Sequence, residues 1–551
     1  MTQNEQTVPE AAPVAAPSAE ALAGAEPRAG ELSEAAAAIT RAYAFEGARI
    51  HLGALVEGEE PVAAAPVHLS LPMLNRHGLI AGATGTGKTK TLQVIAEQVA
   101  AAGTPVLVAD MKGDLSGIAV PGGASDKLVA RAAARGQDWV PRAGTTEFYT
   151  LGGQGTGVPI RTTVSDFGPV LLSKVLELND TQESSLGLIF HYADSHGLGL
   201  LDLKDLRALI QFLTSDEGKG ELKGIGGISA ATAGVILRSL TAFEASGADV
   251  FFGEPAFDTQ HLLRRASDGT GIISCLELPG VATRPQLFST FMMWLLADLY
   301  QDLPEVGDAD KPELVFFFDE AHLLFHGASK AFLEQVVQTV RLIRSKGVGI
   351  FFITQTPKDV PGDVLAQLGN RIQHALRAYT PDDAKALKAT ASTFPRSEYD
   401  LVEMIPALGT GEAIVTVMSE DGAPTPVAVT AIRAPESSMD PAPAEQMTRI
   451  VQASPLMAEY GEVVDRESAY EILAKRDAEA AGAAAEEAAA PAQAEQPAER
   501  DAPARRSSRS SAKDDKGLFD NPAVKSFLRS AGTVVGREIT RSLFGTRRRR
   551  R

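Results

Sequence analysis

The feature that most constrains how this chain folds is the octapeptide GATGTGKT at positions 82–89, which fits the phosphate-binding pattern G-x-x-x-x-G-K-[ST] at every fixed position. The apolar end of residues 76–81 predicts a buried strand before it, and apolar residues at 92, 95, 96 and 99 predict a helix after it. A glycine loop between a strand and a helix turns backbone N–H groups and the positive end of the helix dipole toward an anion. The segment therefore predicts a nucleoside triphosphate site in an α/β fold.

Every residue of the octapeptide is a candidate ligand for the nucleotide or its metal ion. Lys88 is expected to reach the β- and γ-phosphates, and the Thr89 hydroxyl is expected to bind Mg²⁺. The alternative, a chance glycine-rich turn, is disfavoured because the strand and the helix are both predicted. The phosphate-binding candidates are Gly82, Ala83, Thr84, Gly85, Thr86, Gly87, Lys88 and Thr89.

Two acids, Asp319 and Glu320, follow the run LVFFF at positions 314–318, which predicts a central parallel strand buried on both faces. Ligands bind at the carboxyl ends of strands in open α/β sheets. We expect Asp319 to hold Mg²⁺ through its water shell and Glu320 to orient or deprotonate the attacking water as a general base. Solvated acids at a strand end are the alternative, and the phosphate loop favours the catalytic interpretation.

A third strand is predicted in the run 347–357, with Gln355 near its end. A polar side chain ending this strand is expected between the two preceding motifs, where it would contact the γ-phosphate or the attacking water. An amide that satisfies backbone groups of the loop is an equally good interpretation of Gln355 from spacing alone. Arg341 and Arg344 end the helix predicted over 332–344, where cations commonly interact with the helix dipole.

These motifs resemble those of the HerA–FtsK group of P-loop ATPases. The resemblance rests on GATGTGKT, FFFDEAH, RLIRSKGVGIFFITQTP and LGNRIQHALRAYTPDDAKAL, and it covers about residues 45–435. Bacterial HerA-like proteins whose core begins NRHGLIAGATGTGKT are similar. The resemblance implies a RecA-like fold with a mostly parallel central sheet, ATP and Mg²⁺ as cofactors, and a ring that is usually a hexamer. It also implies ATP-driven movement of DNA or, in some branches, of protein.

In that group an arginine contributed by the neighbouring subunit completes the active site. Arg344 matches the position before the Gln-ended strand, Arg377 matches the arginine after the next strand, and Arg371 is a third candidate. Such an arginine stabilises the charge spread over the transferring phosphoryl group. The sequence leaves open which of the three serves.

A further group of charged residues follows the strand predicted over 104–110. Asp110 and Asp114 could approach the magnesium ion or the water near the strand ends, or they could form Asx-type turns beside Gly113. We favour a position at the rim of the site for Lys112 and Asp114.

Composition divides the chain into a core and two polar ends. Ala, Pro and Glu dominate the first 32 residues without apolar periodicity, which predicts disorder there. A mainly helical insertion at 121–270 is expected to form a lid or a substrate-facing subdomain, or else structural padding on the sheet edge. The predicted divisions are 1–32 (disordered), 33–435 (ATPase domain), 436–475 (helical extension), 476–513 (disordered linker) and 514–551 (basic amphipathic tail).

The resemblance has one clear departure at the N-terminal side. HerA carries a β-barrel there that docks partners, whereas this chain has only 49–56 and 67–69 as predicted strands before the phosphate loop. The barrel is therefore expected to be truncated or missing. This leaves the docking partner open, and with it a role in DNA-end resection.

Composition otherwise agrees with a large intracellular enzyme. The lone cysteine, Cys275, excludes an internal disulfide and is expected to be a buried small hydrophobe. No signal segment opens the sequence, and no apolar run approaches the 18 residues that would predict a membrane span. We therefore expect a cytoplasmic protein.

Charge is distributed unevenly along the chain. Residues 505–551 contain 14 basic and 4 acidic residues, a local charge of +10, so the rest of the chain carries −28 toward the net charge of −18. An acidic body is not typical of a protein that coats duplex DNA. Helical spacing of apolar residues across 524–543 predicts a basic amphipathic helix. We favour contacts of this tail within or between subunits, ahead of an anionic membrane and of nucleic acid, which rank equally.

Together the motifs predict a homo-hexameric ATPase that hydrolyses ATP at subunit interfaces and moves DNA as a translocase or helicase. A motor acting on protein is one alternative, and a nucleotide-gated scaffold with weak ATPase activity is another. Stimulation of hydrolysis by DNA would separate the two motors, whereas slow hydrolysis that no polymer stimulates would favour the scaffold. A metabolite kinase is disfavoured because no motif for an acceptor substrate stands out.

Overall fold

The structure, a computed structural model, describes residues 32–489 apart from 223, 282–283, 308 and 327–329. The described residues form two compact units. The first comprises 32–161, 246–251 and 255–463, and the second comprises 162–245, 252–254 and 464–489. Three predicted segments lie wholly or partly outside the described part of the chain: residues 1–31, residues 490–513 of the linker, and the basic tail at 514–551.

The first unit is built on one sheet of twelve strands. In chain order the strands are β1 (Arg49–Glu57), β2 (Glu60–Ser70), β3 (Gly78–Ala81), β4 (Val106–Asp110), β5 (Thr146–Leu151), β6 (Val158–Ile160), β7 (Ile273–Glu277), β8 (Leu314–Phe318), β9 (Val348–Thr354), β10 (Asn370–Gln373), β11 (Glu412–Thr416) and β12 (Ala428–Ile432). Their spatial order is β2-β1-β12-β11-β10-β3-β9-β8-β4-β7-β5-β6. Neighbouring strands from β10 to β6 are parallel, which confirms the predicted α/β class with a mostly parallel sheet.

The middle of this sheet is apolar on both faces. Every residue of β8 is buried, and its rings pack against the next strand, with Phe317 5.3 Å from Phe351 and Phe318 5.3 Å from Phe352 between ring centroids. Burial of one phenylalanine side chain contributes about 2–3 kcal/mol to stability. The unbroken apolar run of β8 is explained by its position between β9 and β4, where helices cover both faces of the parallel sheet.

The opposite edge of the sheet is antiparallel. Here β11 pairs with β10, β12 with β11, β1 with β12 and β2 with β1. The strands predicted at 49–56 and 67–69 thus extend the central sheet. A Cβ atom at Gly53 would lie 2.0 Å from the carbonyl oxygen of Ala431, so the close pairing of β1 with β12 requires glycine at this position.

The helices precede, separate or follow these strands in the first unit, or they belong to the second unit. They are α1 (Glu34–Ala42), α2 (Lys88–Ala101), α3 (Asp126–Ala133), α4 (Val164–Phe167), α5 (Pro169–Val175), α6 (Asp180–His196), α7 (Leu203–Thr214), α8 (Ala230–Ala245), α9 (Pro285–Asp302), α10 (His322–Phe325), α11 (Lys330–Ile343), α12 (Gly362–Leu365), α13 (Pro381–Ala391), α14 (Leu401–Ala407), α15 (Ala444–Ala453), α16 (Pro455–Tyr460) and α17 (Ala469–Ala489). Within the described ranges, none of them is long and apolar enough to cross a membrane.

The second unit is helical and contains α4 to α8 and α17. Capping boxes begin α6 at Asn179 and α7 at Asp202, each satisfying backbone N–H groups of the first turn. The buried Asp205 also accepts the Tyr470 N–H at 2.9 Å, which fixes the start of α17 against α7. Most of the predicted insertion at 121–270 lies in this unit, whereas its strands β5 and β6 join the sheet of the first unit.

Candidate functional site

The order of strands brings the sequence motifs to one edge of the sheet. The phosphate loop follows β3, Gln355 follows β9, Asp319 and Glu320 follow β8, and Lys112 and Asp114 follow β4. These four strands are parallel neighbours in the order β3-β9-β8-β4, so their carboxyl ends share one edge. The strand that precedes Gln355, β9, lies between the strand before the phosphate loop and the strand before the acids.

Backbone hydrogen bonds hold the phosphate loop against the strands on either side. The Gly82 N–H donates to the Thr354 carbonyl at 3.2 Å, and the Ala83 N–H donates to the Ala375 carbonyl at 2.8 Å. The Thr86 hydroxyl donates to the Ala83 carbonyl at 2.7 Å, and Lys88 Nζ donates to the same carbonyl at 3.1 Å. These bonds set the shape of the loop and direct Lys88 into it.

Two glycines of the loop are required by their surroundings. A Cβ atom on Gly82 would lie 2.5 Å from the Cβ atom of His374, and Gly87 has φ +114°, a backbone conformation that disfavours other residues. Gly411 packs against Gly87, and its N–H donates to the Thr86 carbonyl at 2.9 Å. Residues far apart in sequence thus set the curvature of the loop.

His374, which the sequence analysis did not single out, supports the first turn of α2. Its Nδ1 lies 2.8 Å from the Glu412 carbonyl oxygen, which makes Nδ1 the donor and leaves Nε2 to accept from the Thr91 hydroxyl at 2.9 Å. Burial lowers the pKa of His374 to about 4, so the ring is neutral at pH 7. The only sequence signal was a histidine next to a predicted strand within the run LGNRIQHALRAY.

Three carboxylates meet at the ends of β4 and β8. Oxygen atoms of Asp110, Asp114 and Asp319 all lie within 4.8 Å of one another. The Asp110 carboxylate accepts the N–H groups of Lys112, Gly113 and Leu115 at 2.7–3.0 Å, so it forms an Asx-type turn, one of the two interpretations that the sequence left open. Its role is to fix the loop that presents Asp114.

The other two carboxylates have oxygens without a protein partner. Asp319 Oδ2 and Asp114 Oδ1 are buried and have no hydrogen-bond partner among the described residues. Burial, reinforced by the neighbouring Glu320 charge, raises the pKa of Asp319 to about 7. Unpaired buried carboxylate oxygens are the ligands that a hard divalent cation prefers, so these residues fit Mg²⁺.

Glu320 is held in a strained backbone conformation at the end of β8. Its φ is +49°, which is uncommon for a residue with a side chain. Hydrogen bonds on both sides impose this conformation, from the Asp319 N–H to the Ala109 carbonyl and from the Ala321 N–H to the Ile353 carbonyl. The strain marks Glu320 as a functional candidate, because such conformations cluster at active sites.

The Glu320 carboxylate is buried and faces two side chains, Lys112 and His322. Lys112 Nζ donates to its Oε1, and His322 Nδ1 lies 3.0 Å from its Oε2 without hydrogen-bond geometry. Burial alone would raise the pKa of Glu320, but the hydrogen bond and the charge of Lys112 outweigh it, so the pKa is lowered. Glu320 is therefore ionised at pH 7.

Lys88 lies close enough to these acids for their charges to act on it. Burial lowers the pKa of Lys88, and the charges of Glu320 and Asp319 partly oppose this effect. Thr89, in the first turn of α2, is half-buried. The phosphate loop and the acidic pair thus form one site, with a lysine on one side and carboxylates on the other.

The remaining candidates differ in how they are placed. Gln355 is exposed immediately after β9, Arg344 is exposed after α11, and Arg377 is exposed four residues after β10 ends. Arg371 instead donates to the carbonyls of Leu365, Leu368 and Thr393, so its guanidinium stabilises the surrounding loops. The structure brings Gln355 to the shared edge of the sheet and leaves Arg344 and Arg377 with exposed side chains.

Comparison with known proteins gives one extensive match. The model of the family described as Helicase HerA-like C-terminal matches residues 57–551. The chain is also 31% identical over 124 residues to a probable helicase of Methanocaldococcus jannaschii, covering 22% of each chain. It is 32% identical over 98 residues to the DNA double-strand break repair helicase HerA of Sulfurisphaera tokodaii, covering 18% of this chain and 19% of that one. The chain thus aligns with about a fifth of the length of these curated relatives.

Among solved structures, the plasmid coupling protein TrwB in complex with a non-hydrolysable ATP analogue is 16% identical with a TM-score of 0.49, covering 76% of this chain and 99% of that chain. VirB4 of Thermoanaerobacter pseudethanolicus is 14% identical with a TM-score of 0.45, covering 70% and 96%. Both TM-scores are below 0.5, so neither similarity supports an inference about function.

Proposed function

The chain belongs to the HerA-like C-terminal helicase family, and we propose that it is an ATP-driven motor that moves double-stranded DNA as a translocase or helicase. One observation carries the enzymatic part of this proposal. The strained, buried and ionised Glu320 lies at the same sheet edge as the phosphate loop, near Lys88. A general base and a phosphate site in one place are what hydrolysis of a nucleoside triphosphate requires.

In this proposal each residue of the site has a separate role in hydrolysis. The phosphate loop would bind the β- and γ-phosphates through its N–H groups and Lys88. Thr89 and Asp319 would hold Mg²⁺, which neutralises phosphate charge, and Asp114 offers a further buried oxygen beside them. Glu320 would accept the proton of the attacking water, and Gln355 would orient that water or contact the γ-phosphate.

Assembly is the second part of the proposal. The protein would form a homo-hexameric ring in which ATP lies between subunits, with Arg377 or Arg344 of one subunit reaching the phosphates held by its neighbour. Both side chains are exposed, as a residue acting in a neighbouring site must be. Arg371 is a poorer candidate because backbone carbonyls occupy its guanidinium.

The test of the motor is steady-state ATP hydrolysis with and without double-stranded DNA, for the wild-type protein and for Glu320→Gln. Loss of the general base should lower kcat by a factor of about 10²–10⁴. DNA should raise the wild-type rate. A rate that depends on Glu320 but is indifferent to DNA would contradict the DNA motor, while wild-type hydrolysis that survives in Glu320→Gln would contradict the assignment of the base.

A motor acting on protein is the second candidate, favoured by the net charge of −18, since an acidic protein and a polyanionic duplex repel each other. Stimulation of hydrolysis by an unfolded protein and not by DNA would select it. Slow hydrolysis that neither polymer stimulates would favour a nucleotide-gated scaffold.

The arginine can be assigned by mixing two inactive variants. Arg377→Ala should lower kcat by about 10³-fold if Arg377 serves, as loss of such an arginine does in related chemistry. Mixed with Lys88→Ala subunits, which have an intact Arg377 but a defective phosphate loop, the Arg377→Ala subunits should regain part of the activity. No recovery in the mixture would contradict action across the interface, and Arg344→Ala gives the matched comparison.

A further inference from the structure

Lys112 makes a contact that the proposed hydrolysis does not require. Its ammonium donates to Oε1 of Glu320. This oxygen belongs to the carboxylate that would accept the proton of the attacking water. The contact joins two loops that are 208 residues apart in the sequence. It therefore exists only because β4 and β8 are neighbours in the sheet.

The backbone of Lys112 is fixed, whereas its side chain is not enclosed. Asp110 accepts the N–H groups of both Lys112 and Gly113, which locks the loop at the end of β4. The Lys112 side chain is 47% exposed, while the Glu320 side chain that it contacts is 5% exposed. Breaking the contact thus needs only a rotation of the lysine side chain into solvent, without movement of the loop.

The geometry around Glu320 shows what this contact prevents. Oε2 is buried from solvent and lies 3.0 Å from Nδ1 of His322. Oε1, the other carboxylate oxygen, would then be the one that meets the attacking water, and it is the oxygen that Lys112 bonds. An ammonium and a water molecule compete for the same lone pairs of that oxygen.

We propose that Lys112 is a positioning residue that holds Glu320 away from the attacking water, so that hydrolysis waits for the lysine to leave. The inference rests on the proposed function, since it gives Glu320 the role of general base. It predicts that Lys112 suppresses hydrolysis in the absence of a polymer and has little effect once a polymer stimulates the enzyme. The ratio of stimulated to basal rate is then set by this one ion pair.

The test measures kcat and KM for ATP, with and without double-stranded DNA, in full-length wild type, Lys112→Met and Lys112→Arg. Lys112→Met should raise the basal kcat by about 1.5- to fivefold, the range expected for loss of one partly exposed ion pair. KM should stay within about twofold, because the nucleotide contacts are unchanged. Lys112→Arg should keep the low basal rate, and Lys127→Met, an exposed lysine on α3, should match the wild type.

A basal kcat that is unchanged or lowered in Lys112→Met would overturn the inference, provided that the thermal unfolding midpoint matches the wild type. Lys112→Gln gives a second variant if Lys112→Met does not fold. Should the wild type fail to hydrolyse ATP under any condition, hydrolysis appearing in Lys112→Met would still support the inference, and its absence would reject it.

Failure of the proposed function is distinguishable in the same experiment. In the Lys112→Met, Glu320→Gln double variant the raised rate should disappear. A raised rate that survives there would show that Glu320 is not the base, and a normal Glu320-dependent rate that Lys112→Met leaves unchanged would reject only the role of Lys112.

Discussion

The two sides of the site are built on opposite principles. On the phosphate-loop side, the polar groups that shape the loop have protein partners. The Thr86 hydroxyl donates to the Ala83 carbonyl within the loop, and His374 bonds both Thr91 of α2 and the Glu412 carbonyl of β11. On the acidic side, Asp114 and Asp319 have buried oxygens without such partners. A buried polar group without a hydrogen bond costs stability, so the acidic side is the less stable half in the absence of a cation.

This difference gives the two sides opposite responses to pH. His374 is buried and neutral, with a pKa below its ordinary value, so its contribution to stability is lost as the pH falls. Asp319 has a pKa above its ordinary value, so its contribution is lost as the pH rises. The phosphate-loop side is thus hydrogen-bonded within the protein, whereas the acidic side retains buried oxygens of Asp114 and Asp319 without a partner among the described residues.

The largest expected effect, on ATP affinity, comes from a substitution on the phosphate-loop side. Gly82→Ala places a Cβ atom 2.5 Å from His374 and 2.9 Å from the Thr86 hydroxyl, so the loop must shift. We expect ATP affinity to fall at least about hundredfold, roughly 3 kcal/mol. Binding of a fluorescent ATP analogue measures this. Gly123→Ala, where a Cβ atom meets nothing within 4 Å, is the control, and wild-type affinity in Gly82→Ala would show that the loop does not depend on this contact.

The second largest expected effect, on stability, concerns Asp319 on the acidic side. Between the ordinary pKa of aspartate and about 7, the folded metal-free protein binds a proton at Asp319 that the unfolded chain has released, so stability should fall by roughly 2–3 kcal/mol as the pH rises from 4 to 7. Asp319→Asn removes this dependence and should raise the unfolding midpoint at pH 7. Thermal unfolding in chelator at several pH values measures it.

Two comparisons keep this prediction specific. Asp363→Asn, at an exposed aspartate, should leave the unfolding midpoint and its pH dependence as in the wild type. Addition of Mg²⁺ with ATP should stabilise the wild type more than Asp319→Asn. If Asp319→Asn is destabilising at pH 7 without metal, the carboxylate has a partner that the structure does not contain, and the contrast between the two sides fails.

The smallest expected effect, on the pH dependence of stability, concerns His374 on the phosphate-loop side. Between its ordinary pKa of 6.5 and about 4, His374 stays neutral in the folded protein while the unfolded chain takes up a proton, so stability should fall by about 1–2 kcal/mol as the pH drops from 7 to 5. His374→Gln should reduce this loss, as measured by thermal unfolding at both pH values. His191→Gln, at an exposed histidine, is the control; an unchanged loss in His374→Gln would show that the ring is protonated in the folded state.

The sequence predicted the parts of the site that local patterns encode. Glycine spacing fixed the phosphate loop, and the apolar run before Asp319 and Glu320 indicated a buried parallel strand, because each depends on residues within about ten positions of one another. The sequence also suggested a place for Gln355 between the loop and the acids. The strand order β3-β9-β8 is compatible with that place, and the role of Gln355 stays a prediction.

Contacts across long stretches of sequence were not predictable in the same way. His374 meets Thr91 across 283 residues, and Lys112 meets Glu320 across 208 residues. Arg371 was a third candidate for the arginine finger from sequence, yet in the tertiary structure its guanidinium donates to nearby carbonyls. The order of strands in the sheet determines which distant side chains come into contact. Local periodicity in the sequence does not indicate which strands become neighbours.

The sequence by itself thus determined the chemistry of this protein: a loop for phosphates, two acids after a buried strand, and membership of a family of P-loop ATPases. Only the tertiary structure decided which polar groups have hydrogen-bond partners and which buried carboxylate oxygens have none among the described residues. The physical reason is that hydrogen bonding, burial and pKa depend on what surrounds a side chain in space. For Asp319, Glu320 and His374 those surroundings come from strands far away in the chain.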